Sequence, residues 1–372
     1  MSRTRRKKRL RRATSDPTKK SARNPISQKE LAERLGFSPA TISLVLNRSS
    51  AADSIPEQTK NLIIEAARKL NYRPNMLARS LRTRRTYTVG VIVPEISEGY
   101  TANVLSGIVD ILLQEGYFFF VTSHRHRPDL LDHYPQTFLD RGVDGVIAVD
   151  TLWNHELPVP VVTVSGHNKV EGITNIVVNH ARASLLAMEH LVKLGHRKIA
   201  FIKGQDFSSD TEIRWRSTMD AAAKLGILVS PKLTAQLEED SPSPQVGYKV
   251  TKKMMKSREP FTAIFAFNDI SALGAIRAVF ESGLRVPEDV SVVGFDDIQS
   301  AAFQHPGLTT IRQPLHQMGK TAAETVLRRI KSGQDRVHEI VVEPELIVRE
   351  STAKAANLSR LQGTSSASLA RS

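Results

Sequence analysis

A chain that strings short, almost continuous apolar runs between helical stretches has few folds open to it. Here the runs YTVGVIVP, YFFFVTS, GVIAV, PVVTV, NIVVN, KIAFIKG, AIFAFN and VSVVGFDD are rich in β-branched residues and lack the polar alternation of a half-exposed strand. Between many of them lie stretches such as ANVLSGIVDILLQEG, ASLLAMEHLVKLG and ISALGAIRAVFESG, whose apolar residues recur at helical spacing. Strands buried on both faces and separated by helices imply parallel sheets with crossovers on either side, an α/β fold. At 372 residues the chain is too long for one compact unit, so two or three domains are expected.

Charge is sorted along the chain. Residues 1–87 carry 22 Lys+Arg and 6 Asp+Glu, whereas the rest carries 30 and 32, so the whole net charge of +14 originates in the first quarter. A basic head on a near-neutral body points to a polyanion partner. Residues 1–25 have no helical or strand period and read as a disordered basic arm. From Ile26 three short helices are predicted. In ISQKELAERLG, Ser27 and Glu30 are spaced as a capping box, Ile26 can staple to Leu31, and Gly36 ends the helix. FSPATISLVLN has Ser38 as N-cap, Pro39 at the first helical position, and Ile42, Val45 and Leu46 as core. A third helix follows Ile55-Pro56-Glu57. Two helices joined by a minimal Gly-containing turn make a helix-turn-helix unit, and the basic surroundings favour DNA over a plain helical bundle.

Cysteine is absent, which removes disulfides and thiolate metal sites. No apolar run is long enough for a membrane span, and none follows the basic N-terminus as a secretory signal requires, so a cytoplasmic protein is expected. Neither a Gly-rich phosphate loop nor a nucleophile elbow follows any strand, so no cofactor and no catalytic residue is expected. His124, His126 and His133 lack carboxylate and thiolate support at ligand spacing, and no metal site is expected either.

The motifs ISQKELAERLGFSPATISLVLN, AARKLNYRPNMLARSLRT, TYTVGVIVP, RGVDGVI, EHLVKLGHRKIAFI, FAFNDISALGAIRA, VPEDVSVVGFDDI, LTTIRQP and PELIVREST follow one another in an order that resembles the lactose-repressor (LacI/GalR) family of bacterial transcription regulators. The resemblance runs from Ile26 to Thr352. It implies a helix-turn-helix head at 26–72 and a hinge helix or linker at 73–86. It also implies a two-lobed, periplasmic-binding-protein-like domain of two parallel-sheet α/β subdomains at 87–352. The expected N-lobe is 87–164 plus 314–342, the expected C-lobe 166–311 plus 344–352, and 353–372 reads as a disordered tail. The implied function is a sequence-specific regulator, expected to be a repressor, that acts as a homodimer on double-stranded operator DNA under control of a small effector, a sugar or sugar derivative. A solute-binding protein of the periplasmic type without gene regulation is the alternative.

The resemblance also assigns sites. Pro39, Ala40 and Leu44 occupy the positions that read bases, yet none carries a hydrogen-bonding side chain, so apolar contact with thymine methyls replaces bidentate readout. Ser38, Thr41, Ser43 and Asn47 suit phosphates, with helix capping as the other reading of Ser38. Tyr72, Asn75, Arg79 and Leu81 belong to the hinge region. Its arginines hold phosphates, Met76 and Leu77 meet their counterparts in a second copy, and Leu81 enters the minor groove as a wedge. The effector pocket maps onto Arg214, Asn268 and Asp296, a set that suits a polyhydroxylated carbohydrate. A structural salt bridge is the competing reading of Arg214 and Asp296, and a helix cap that of Asn268. Tyr100, Thr101, Ser165 and Leu315 complete the expected walls. If His124 and Arg125 of SHRHR face the cleft, the effector is an anionic sugar derivative; otherwise SHRHR is a solvated loop.

Overall fold

The structure, a computed structural model, describes residues 26–47, 49–72, 80, 83–96, 99–167, 170–257, 259–333 and 337–357. The basic arm, the expected hinge residues Asn75, Arg79 and Leu81 with Met76 and Leu77, and the tail from 358 onward lie outside the described residues. The chain divides into two compact units, Met1–Arg84 and Arg85–Ser372.

In the first unit, helix α1 (Gln28–Leu35) starts at Ser27, whose hydroxyl accepts the Glu30 N–H at 3.1 Å. The capping box is only half formed, because the Glu30 carboxylate pairs with Arg34 at 2.8 Å one turn on. Gly36 takes the left-handed conformation (φ 69°) that ends the helix, and its N–H bonds Ala32 O. Two residues later Ser38 caps α2 (Pro39–Leu46). Gln28 donates to the carbonyl of Pro39 at 2.7 Å, tying the start of one helix to the start of the next. A single 3-10 segment, Ser50–Ser54, leads to α3 (Glu57–Lys69). Leu31, Ala32, Ile42, Val45, Ile63 and Ala67 form the buried core, with Ile26, Phe37, Leu46 and Tyr72 packed around it.

The second unit contains two sheets. Its elements are β1 (Thr88–Val93), α4 (Tyr100–Gln114), β2 (Phe118–Ser123), α5 (Pro128–Asp140), β3 (Gly145–Val149), β4 (Val161–Val164) and β5 (Ile173–Val178). There follow α6 (His180–Lys193), β6 (Ile199–Lys203), α7 (Thr211–Lys224), β7 (Thr234–Gln236), α8 (Pro244–Lys256), β8 (Ala263–Phe265), α9 (Asp269–Phe280), β9 (Ser291–Asp296), α10 (Gln299–Phe303) and β10 (Thr309–Arg312). The set closes with α11 (Leu315–Ser332), β11 (Glu339–Val342) and β12 (Glu345–Ile347). The N-lobe sheet has strand order β11-β5-β4-β3-β1-β2 and is parallel throughout. The C-lobe sheet, β12-β10-β9-β8-β6-β7, is parallel except for its edge, where β12 runs antiparallel to β10.

That topology corrects one expected boundary. The first passage between lobes is not at Ser165, because the run at 173–178 pairs with β4 from Val161↔Ile173 to Val164↔Ile176 and stays in the N-lobe sheet. Arg329 of α11 secures this region by donating to the carbonyls of Val161 and Gly172. The chain crosses at Asn179, returns through Gln313, and crosses again at Glu343.

Each lobe brings one helix pair into backbone contact through glycine. A Cβ on Gly107 of α4 would lie 1.9 Å from His316 O, and one on Gly319 of α11 2.0 Å from Val104 O. In the C-lobe, Gly247 of α8 meets Ser271 O and Gly274 of α9 meets Pro244 O in the same way, at 2.1 and 1.9 Å.

Candidate functional site

On the head, α2 buries Ile42 and Val45 and leaves Ser38, Pro39, Ala40 and Asn47 exposed, with Thr41, Ser43 and Leu44 half-buried. The polar members of this surface are already engaged. Ser38 Oγ accepts the Thr41 N–H at 3.0 Å and meets Thr41 Oγ1 at 2.9 Å, and the Asn47 amide donates to Ser43 O at 2.8 Å. Tyr72 is half-buried against the head core, and burial pushes its phenol up.

Between the lobes lies a cleft of about 770 Å³ including its mouth. It forms where parallel strands end, the usual ligand position in open α/β sheets. Asp150 follows β3, Phe267 and Asn268 follow β8, and Asp296 ends β9. Tyr100 and Thr101, at the start of α4, line it as expected. The Tyr100 hydroxyl donates to Ser165 Oγ at 2.8 Å, which places buried Ser165 behind the wall rather than on it. Asn268 serves two purposes: its side-chain oxygen accepts the Ser271 N–H at 2.9 Å as the cap of α9, while the residue itself lines the cleft.

Besides Ser165, four expected residues stand off the cleft wall. Arg214 is buried behind Phe267, its guanidinium between the Phe267 and Phe295 rings at 4.4 and 3.9 Å from their centroids. It donates to Asp210 at 2.6 Å and to Phe267 O at 2.7 Å, so its salt-bridge partner is Asp210 and not Asp296. His124 is turned inward and 2% exposed. Its Nδ1 accepts the His126 N–H at 3.1 Å, so Nε2 carries the proton toward Thr151 Oγ1, also at 3.1 Å. Burial and the neighbouring His126 lower it to about 4. Arg125 is exposed at φ 47° and does not line the cleft. The SHRHR residue that does is His126, whose ring lies 4.0 Å from that of Phe207. Leu315 begins α11 buried in the N-lobe core and does not line the cleft.

Sequence reasoning missed Asp150, Phe207 and Asp210. Asp150 had a signal, an acid closing the buried run GVIAV. Asp210 had one too, standing four residues before Arg214 at helical spacing. Phe207 sits in an irregular loop with no pattern to mark it.

The cleft is electrostatically acidic. Glu95, Asp150, Asp240 and Asp296 line it, and His126 is the single basic side chain among the described lining residues. Burial pushes Asp296 up to about 7, with Asp210 and Asp150 adding to the effect and Arg214 and Gln313 opposing it. Burial and then the Asp210 charge push Asp150 up to about 7, against hydrogen bonds from Ser209. Burial also works to raise Asp210, yet Arg214, His180 and a hydrogen bond from His167 hold it well below the carboxylate range.

Residues 28–75 match the family model described as bacterial regulatory proteins, lacI family, and residues 188–352 match a periplasmic binding protein-like domain. The chain is 30% identical over 334 residues to the HTH-type transcriptional repressor PurR of Aliivibrio salmonicida, covering 88% of this chain and 98% of that one. Among solved structures, the lac repressor dimer bound to operator and the anti-inducer ONPF is similar with a TM-score of 0.75. Its identity is 26%, covering 89% of this chain and all of that one. A complex of the transcriptional regulator CelR with cellobiose is similar with a TM-score of 0.64 and 26% identity, over 88% and 99% of the two chains. No helix among the described residues is long and apolar enough to cross a membrane.

Proposed function

The chain belongs to the LacI family of DNA-binding transcriptional repressors, which are not enzymes, and from that premise we propose how its two working surfaces act. Regulators of this family bind operator DNA and small effectors as dimers. On the head, the exposed Pro39 and Ala40 with Leu44 form an apolar edge that packs on thymine methyls in the major groove. Ser38, Thr41, Ser43 and Asn47 set register on phosphates, and Asn47 does so by giving up its bond to Ser43.

In the cleft, the effector is a neutral polyhydroxylated molecule of the carbohydrate class. The acidic lining carries this reading: Asp150 and Asp296 accept from hydroxyls, Asn268 supplies a polar amide, and Phe207 offers a ring face. Glu95 and Asp240 repel an anion, which disfavours the sugar-acid or sugar-phosphate alternative raised by SHRHR. The likeness to a cellobiose-bound regulator supports the same class. A thermal-shift series that pairs neutral sugars with their phosphates and acids tests it, since a bound ligand raises apparent stability. Neutral members are expected to shift the transition and anionic members not; the reverse pattern overturns the assignment.

A further inference from the structure

Where the two lobes join, three ligand-type side chains converge outside the cleft lining. His167 stands in the loop after β4, His180 is the first residue of α6, and Asp210 is the residue before α7. One donor atom from each lies within 4.8 Å of the others, and no other such group of His, Cys, Asp or Glu occurs among the described residues. Asp210 and His180 are buried, and the His167 side chain is 12% exposed. His167 Nε2 touches Asp210 Oδ1, and His180 Nε2 lies 3.4 Å from the same oxygen. Neither ring nitrogen of His180 makes a hydrogen bond, although the residue is only 5% exposed. The nearest acceptor to Nε2 is that Asp210 oxygen, at ion-pair distance but without hydrogen-bond geometry, and Nδ1 has no partner at all, so this buried imidazole is left incompletely satisfied.

We infer that His167, His180 and Asp210 form a binding site for a divalent transition-metal ion of the zinc class. Two imidazoles and a carboxylate are an N/O donor set such ions favour, with a fourth position left for water. With metal–ligand bonds of about 2.0–2.1 Å, tetrahedral neighbours stand ~3.4 Å apart; the His180–Asp210 pair already has that separation, and the His167–Asp210 pair, in direct contact here, has to draw apart to admit an ion. Arg214 holds the other Asp210 oxygen at 2.6 Å and so orients the carboxylate from behind. Access exists too, because His167 borders an open depression with Leu152, Lys203, Asp206, Ser209 and Thr211. The ligands come from both sides of the lobe junction, so the ion bridges the N-lobe loop to two C-lobe helix starts.

The test uses the full chain, stripped with chelator and returned to metal-free buffer, with no sugar or DNA present, so its outcome is separate from the effector and operator readings. Zinc titration by calorimetry is expected to give one site per protomer, and cobalt(II) to give the visible absorption of a four-coordinate site. His180→Ala and, as a more exposed position less apt to disturb folding, His167→Gln are each expected to lower zinc affinity by at least ~100-fold. No stoichiometric zinc binding, or binding unchanged in a folded His167→Gln protein, overturns the site.

Discussion

The helix-turn-helix head and the effector cleft treat polar side chains in opposite ways. In the head, Ser27, Gln28, Ser38 and Asn47 each find a partner within their own or the adjoining helix, and the core beneath is wholly apolar. In and behind the cleft wall, the carboxyls of Asp150, Asp210 and Asp296 crowd one guanidinium, and Arg214 Nε and Gln313 Oε1 are buried without a hydrogen bond. The head satisfies its polar side chains locally. A ligand cleft holds unmet polarity in reserve, and the surrounding fold carries its cost.

The largest expected difference comes from breaking the buried Arg214–Asp210 pair behind the cleft wall. Arg214→Leu takes the guanidinium from between the Phe267 and Phe295 rings and leaves the buried Asp210 carboxylate with only its histidine contacts, and loss of one partner of a buried pair costs about 3–5 kcal/mol. Denaturant unfolding followed by Trp fluorescence of the body should show it; a loss under 1 kcal/mol would mean the pair is solvated. Next is the pH response. The folded values of Asp150 and Asp296, about 7, lie above the ordinary 3.8, so the folded body prefers their protonated forms. Their contribution is fully present below pH ~4 and is lost as pH rises toward 7, by up to ~1.4 kcal/mol per unit for each group. His124, lowered to about 4, acts oppositely by costing stability as pH falls from 6.5. Asp296→Asn should therefore flatten the decline between pH 4 and 7, and an unchanged slope would remove Asp296 from the acidic set. The smallest effect belongs to the head: Ser38→Ala removes the α2 cap and should cost about 1 kcal/mol in head stability, leaving effector-induced thermal shifts untouched.

The same contrast decides what was legible in the sequence. The head was readable because its signals are local: Ser38-Pro39 starts α2, Gly36 ends α1, and Ile42 and Val45 fall on one face. Glu30 shows the limit, since spacing alone does not choose between Ser27 and Arg34 as its partner. Sheet strands were legible as apolar runs, but which sheet 173–178 joins depends on β4 and β11, far apart in sequence. Cleft residues were harder still. The sequence marks Arg214 as charged and leaves open whether its mate is Asp296 across the cleft or Asp210 one turn away. His124 and His126 differ by two residues and point to opposite fates because Arg125 and His126 both take positive φ.

The glycine contacts inside each lobe have a mechanical consequence. Helices seated backbone against backbone at Gly107 and Gly319, and at Gly247 and Gly274, act like notched plates that cannot slide past one another. Opening and closing must then be absorbed by the three strings that tie the plates, at Asn179, Gln313 and Glu343. Two of these strings are knotted together, since Asn179 donates to Glu343 at 3.1 Å, and the third is hooked to the cleft floor, where Gln313 donates to Asp296 at 2.7 Å. Any guest that claims that Asp296 oxygen unhooks one string of the hinge by the same act.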